Sequence, residues 1–358
     1  MNNRGTVLLL AVLAMAGCMS IGPDLMNRDR FDYSNAVAES WKTQMLLNLV
    51  KLRYDDTPIF MDVSSVVAGY SATGAVGASA SIPTFQGNPN TGTVTGTYGA
   101  TVGGTFANNP TISMVPLTGE RFARAMMHPI PPVAILSVVQ SGLPVEVVFR
   151  LAVQAVNGVD NRRVQRFHVQ PAEPEFYALL QELRRIQNSG DIGMRLDDKQ
   201  LGHLVFRPGL TAAVEGARLR VAKILNLDPA AREYRLVYGV VAANDKEIAL
   251  LTRSIYEVLN DLSTLVVVPE EHVAQRRVGR TPLPDLGPDG PIPPLLRIVS
   301  SAERPGDAFV AAPYRGYWFS IDDRDIPSKQ LFSFLMFLFT FVETSGTAGA
   351  PVLTIPVR

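Results

Sequence analysis

The chain has 358 residues, and its 33 Lys+Arg balance 33 Asp+Glu, giving a formal net charge of zero. That balance excludes the cationic surplus with which a nucleic-acid-binding domain neutralises phosphates. A single cysteine excludes an intramolecular disulfide, and a hydrophobic content of 47% supplies the material for one large or two modest packed domains.

The first residues read MNNRGTVLLLAVLAMAGC: a short start carrying Arg4, an apolar run from Val7 to Ala14, then small residues before Cys18. This is the pattern of a secretory signal, too short for a permanent membrane helix. The LAMAGC segment, with Ala16 and Gly17 ahead of the cysteine, resembles the lipobox of bacterial lipoproteins, with Met15 where that class usually has Leu. The resemblance covers residues 1–18. It implies cleavage before Cys18 and a covalent diacylglycerol and N-acyl lipid on Cys18; no cofactor is expected beside that lipid. Met19 and Ser20, rather than an acidic residue at the second position, resemble lipoproteins sorted to the outer membrane. The expected organisation is a signal peptide at 1–17, a lipidated tether at 18–33, a main α+β body at 34–279 that includes an extended β-hairpin at 63–115, a Pro-rich linker or loop at 280–294, and a C-terminal β-β-α-β segment at 295–358 packed on the main body.

In chain order, Ser34 is positioned to cap a helix running to Arg53, since Val37, Trp41, Met45, Leu49 and Leu52 recur at three-to-four spacing. The stretch IFMDVSSVVAGY then reads as strand. From Val63 to Gly119 there is no Asp, Glu, Lys or Arg, although 18% of the chain is charged. Within that span Val66, Ala68, Tyr70, Ala72, Gly74, Val76, Ala78, Ala80 and Ile82 alternate with positions that are mostly Gly, Ser and Thr. Val94, Gly96, Tyr98, Ala100, Val102, Gly104 and Phe106 alternate in the same way with Thr and Gly. Period two means strands with one apolar and one hydroxyl-rich face, and FQGNPNTG between them is turn chemistry. The expected hairpin sets Ile82 opposite Val94 and Tyr70 opposite Phe106. At roughly 3.3 Å per residue the arm from 70 to 82 is about 40 Å long, and tilted by about 40° it projects to about 30 Å.

Three short helices are predicted near 119–127, 132–141 and 144–156, and a longer one over 174–188. Strands follow at GMRL and HLVFRP, then a helix over 211–226 and the strand EYRLVYGVV. A further helix is predicted from Asp245 to Leu262. RTPLPDLGPDGPIPP is too rich in proline for regular structure. PEEHV at Pro269 reads as a helix start. Strands near 295–300 and 315–321, an apolar helix over 328–342 and a last strand PVLTIPV complete a mixed α+β fold, helix-rich, with a small sheet and a long protruding antiparallel hairpin.

Catalytic signatures are sparse. His128, His168, His203 and His272 are scattered without the spacing of a zinc helix, so no metal site is expected. GYSATG has one residue too many for a nucleophile elbow and lies in a strand run. The glycines of 92–104 lack the Lys and helix of a phosphate loop. Asp322, Asp323 and Asp325 in SIDDRDIPSKQ form the one acidic cluster, and no catalytic residue is assigned. Their preferred reading is a turn in which Asp325 or Ser328 caps the following helix; the alternative is a hydrolase or cation site.

These features lead to three functional expectations. The first is a non-enzymatic lipoprotein anchored in the outer membrane at its periplasmic face, in which each subunit donates a hairpin to an oligomeric channel or secretion component. Tyr70, Val76, Ile82, Phe85, Val94, Tyr98, Val102 and Phe106 would face lipid or a partner. In organisation, though by no shared motif, this resembles lipidated secretion channels such as the curli exporter. The second is a periplasmic accessory or scaffold lipoprotein that docks an envelope protein through the hairpin. The third is the acidic site of 322–325. Expected partners are the membrane, through the lipid, and another copy or an envelope protein, but no nucleic acid.

Overall fold

The computed structural model describes residues 23–67, 70–80, 98–108, 111–165, 168–197, 202–343 and 353–356. Cys18, Ile82, Phe85 and Val94 lie outside the described residues. The fold is mixed α+β, and the chain divides into two compact units: one formed by 1–60 and 117–347, the other by 61–116 and 348–358. The division differs from the expected one, because the strands after Phe60 separate from the body and the chain's last strand goes with them.

The larger unit begins with a helix, Pro23–Arg53, longer than the spacing of its apolar residues indicates. Ser34 is therefore a mid-helix residue and not a cap. Pro23 stands at the helix start, where its missing N–H costs nothing, and no Gly or Pro interrupts the helix after it. The second half is buried: Met45, Leu46, Leu49 and Val50 join one core with Val258, Leu259 and Leu262 of the helix Ile255–Thr264 and with Leu331, Phe332 and Leu335 of the helix Ile326–Glu343. Each fully buried Leu contributes about 1.5–3 kcal/mol of transfer free energy. A three-stranded sheet ordered Val299–Ser301, Tyr317–Asp322, Ala308–Tyr314 closes this core with Val310, Phe319 and Ile321. The strand Ala308–Tyr314 was not anticipated.

A second core fills the space around a six-stranded sheet ordered Val159–Asp160, Val153–Val156, Glu247–Thr252, Glu233–Tyr238, Gly202–Phe206, Ile192–Leu196. Phe176, Leu179, Leu180 and Ile186 of the helix Pro174–Ser189 and Ala217 and Val221 of the helix Ala212–Ile224 supply its helical side. Thr211 caps the latter helix by accepting the Val214 N–H. The sheet corrects two helix expectations. The third short helix stops at Ala152, and Val153–Val156 pairs with the strand Glu247–Thr252. That strand occupies the place of the helix expected from Asp245. It lies between two neighbours and is buried on both faces, so IALL within it is a continuous apolar run that helical spacing fits by accident. The real helix starts after Ser254, which accepts the Glu257 N–H while the Glu257 carboxylate accepts the Ser254 N–H.

In the smaller unit, Met61–Val67, Thr111–Pro116 and Leu353–Pro356 form a three-stranded antiparallel sheet with Thr111–Pro116 at its centre. Tyr70–Ala80 pairs antiparallel with Tyr98–Asn108. The register sets Tyr70 opposite Asn108 and Ala72 opposite Phe106, two residues from the expected alignment. A two-residue slip leaves every even position facing an even position, so the apolar and hydroxyl-rich faces survive it: Val76 meets Val102, and Ala78 meets Ala100.

The register also shifts by one residue between Val63 and Ser65. Before the shift Val63 is aligned with Met114; after it, Val66 is aligned with Ile112. The apolar residues Met61, Val63 and Val66 are spaced by two and then by three. The bulge absorbs the extra residue and keeps all three on one face. Leu353 and Ile355 continue that face, opposite Met114 and Ile112.

Candidate functional site

The acidic cluster resolves into a turn. Asp325 accepts the Ser328 N–H at 3.1 Å and its hydroxyl at 2.8 Å, which caps the helix Ile326–Glu343. Asp322 accepts the Arg324 N–H at 2.8 Å, and Asp323 pairs with Lys329 at 2.7 Å. The three carboxylates are thus engaged separately, and among the described residues no group of His, Cys, Asp and Glu is placed to hold a metal.

The histidines are equally dispersed. His203 lies between Glu233, 2.9 Å from Nδ1, and Asp197, 3.4 Å from Nε2. His272 is buried, with Nδ1 2.7 Å from the Tyr54 hydroxyl and its ring edge-on to Tyr317. Burial, reinforced by Arg277, lowers the pKa of His272, and burial pushes the Tyr54 phenol up to about 12. His128 is exposed. Of the hairpin residues named from sequence, Tyr70, Val76, Tyr98, Val102 and Phe106 occupy the paired strands, all at even positions and so on one face of the ladder.

The most developed polar constellation was not visible in sequence. The helix Val145–Ala152 runs straight into the strand Val153–Val156, so its last carbonyls need partners from elsewhere. The Asn161 amide donates to the carbonyls of Arg150 at 3.1 Å and Val153 at 2.7 Å. Arg253 Nη1 donates to the carbonyls of Arg150 and Leu151 at 3.1 and 3.2 Å, and its Nη2 donates to the Arg162 carbonyl. A guanidinium at this end also meets the negative pole of the helix. Asp261 Oδ2 accepts from Arg253 at 3.0 Å, while its Oδ1 faces Arg162 Nε at 3.3 Å without hydrogen-bond alignment. Arg162 also donates to Thr264 Oγ1 at 2.6 Å. One carboxylate is therefore shared by two buried guanidinium groups.

Beside this network lies a cavity of about 370 Å³. Its polar lining is Arg150, Asn161, Arg162, Tyr177, Asp261, Thr281, Asp285 and the exposed Arg297. The segment 281–296 supplies most of the apolar lining, including Pro282, Leu283 and Ile292. The Tyr177 hydroxyl donates to Asp285 at 2.7 Å, and burial together with that carboxylate raises the phenol's pKa. Arg150 donates to the Pro293 carbonyl at 2.8 Å and lies 5.9 Å from the centre of the Tyr177 ring. Its own pKa is lowered by burial. The proline-rich segment is thus tied down by side chains more than a hundred residues away, and within it Leu286–Gly287 pairs with Gly290–Pro291.

Comparison of the chain with protein-family models, with curated proteins and with solved structures finds no match of any of the three kinds. Among the described residues no helix is long and apolar enough to cross a membrane.

Proposed function

We propose that the chain is a lipoprotein of the bacterial outer membrane, held by lipid on Cys18, in which the paired strands of 66–106 from several copies associate into an oligomeric channel or secretion component. The reading rests above all on the strand pair Tyr70–Ala80 and Tyr98–Asn108, which carries no charge and has its Val and aromatic residues at positions of one face. Each strand has 11 residues, within the length of about 9–11 that crosses a bilayer in a barrel. Among the described residues no third strand pairs with either of them. Their edges also lack the Lys and Pro that blunt free strands in soluble proteins. A lone pair leaves backbone groups unsatisfied in lipid, and strands from further copies satisfy them.

The small side chains of the apolar face favour a second reading, docking on another envelope protein, because Ala and Gly bury little area against lipid. Lipidated full-length protein extracted in mild detergent tests the first reading: it is expected as an oligomer, with 66–106-deleted protein a folded monomer. A monomeric full-length protein would refute it. Val102→Lys and Thr101→Lys separate the two readings. Lipid on the even face makes Val102→Lys costly by about 2–4 kcal/mol and leaves Thr101→Lys tolerated.

A further inference from the structure

We propose that the cavity beneath the segment 281–296 binds a small monocarboxylate with an apolar body. The inference is independent of the envelope reading.

Charge is the first ground. Arg150, Arg162 and Arg297 line the cavity against Asp261 and Asp285, and Asp261 is already shared with buried Arg253. Among the described residues Arg150 makes no ion pair with a carboxylate. The Pro293 carbonyl and the Tyr177 hydroxyl take only part of a five-donor fork. Arg150 is half-buried, a guanidinium partly withdrawn from water gains from a paired charge, and the carbonyls at the end of the helix Val145–Ala152 offset the surplus only in part. A ligand bearing one negative charge completes the balance, and a carboxylate matches the planar guanidinium with two parallel hydrogen bonds.

Shape is the second ground. Leu265, Val267, Pro282, Leu283 and Ile292 give the cavity an apolar wall, and its volume lies at the small end of the range for ligand pockets. Asp285 accepts from Tyr177 and, although its charge reaches Arg150, makes no ion pair with it among the described residues. Arg150, Pro294, Leu295, Arg297 and Val299 also line an adjoining open cleft, which provides a route from solvent.

Titration calorimetry on the full chain with 3-phenylpropanoate tests the proposal, with 3-phenylpropylammonium, acetate and inorganic phosphate as comparison probes. Saturable binding of 3-phenylpropanoate is expected, with Arg150→Gln weakening it about tenfold or more. Acetate should bind weakly for want of the apolar body, and the ammonium compound should not bind. The proposal is overturned if 3-phenylpropanoate does not bind at millimolar concentration, if phosphate or acetate binds as well, or if Arg150→Gln binds as tightly as the parent chain. Should Arg150→Gln fail to fold by circular dichroism, Val267→Trp decides instead. It narrows the cavity from a partly exposed wall position and leaves all charges in place, so undiminished binding in that variant would equally overturn the proposal.

Discussion

Replacing Asp261 by Asn tests whether the network behind the cavity holds the larger unit together. The substitution keeps the volume and one acceptor oxygen but removes the charge shared by Arg253 at 3.0 Å and Arg162 at 3.3 Å. All three side chains are at most 10% exposed, so water cannot take over the pairing. Removing one partner of a buried ion pair costs about 3–5 kcal/mol, chiefly because an uncompensated charge stays behind. Retention of an amide oxygen places Asp261→Asn near the lower end, at about 3 kcal/mol. For a unit of this size that corresponds to a fall in Tm of roughly 6–12 °C, read by calorimetry and checked by urea unfolding. Asp323→Asn serves as the control. Its pair with Lys329 is solvent-accessible, and its loss should cost about 0–1 kcal/mol. Equal effects from the two substitutions would show that the buried triad contributes no more than an exposed pair.

Three further outcomes can be stated. His272→Gln should flatten the acid side of the stability profile. The buried imidazole has a lowered pKa, so the unfolded chain, with its ordinary value of 6.5, takes up the proton first. Stability is then full above that value and falls as pH drops below it, which urea midpoints at about pH 7.5 and about pH 5.5 would reveal. Deleting Ser64 should space Met61, Val63 and Val66 evenly by two and remove the bulge with all three still on one face, so hydrogen exchange in 61–67 should slow while the helix Ile255–Thr264 keeps its protection; faster exchange in 61–67 would refute that account of the bulge. Ile355→Asp puts a charge on the apolar face opposite Ile112, and exchange in Thr111–Pro116 should quicken by about tenfold or more, equivalent to ~1.4 kcal/mol.

Legibility from sequence followed the reach of each interaction. The helix Pro174–Ser189 was read within a residue at each end because its period, its Pro start and its Gly190 stop are local. The turn at Asp325 was legible for the same reason. The strand Glu247–Thr252 was not, since burial on both faces erases the alternation that marks a strand. A local signal did exist there: Ser254 and Glu257 spell a capping box, which dates the helix start to after the apolar run. The bulge was also written in the sequence as the broken spacing of Met61, Val63 and Val66. The arginine network was not. Arg253 contacts the carbonyl of Leu151, and Tyr177 contacts Asp285, across more than a hundred residues each. The one hint was chemical: Arg253 ends an apolar strand, where an arginine needs buried acceptors.

The two units treat charge in opposite ways. The larger unit buries arginines and spends aspartates and helix-end carbonyls on them. In the smaller, Asp62 and Arg358 are the only charged residues of 61–116 and 348–358. The last strand, Leu353–Pro356, lies far from 63–119 in sequence, yet it pairs with Thr111–Pro116 and is as free of charge. A low-complexity linker would give no reason for a distant strand to share its composition. A common sheet does, because Leu353 and Ile355 extend the face set by Val63, Val66, Ile112 and Met114. Charge is thus scarce across the sheet as a whole, Asp62 apart, rather than in one stretch of chain alone.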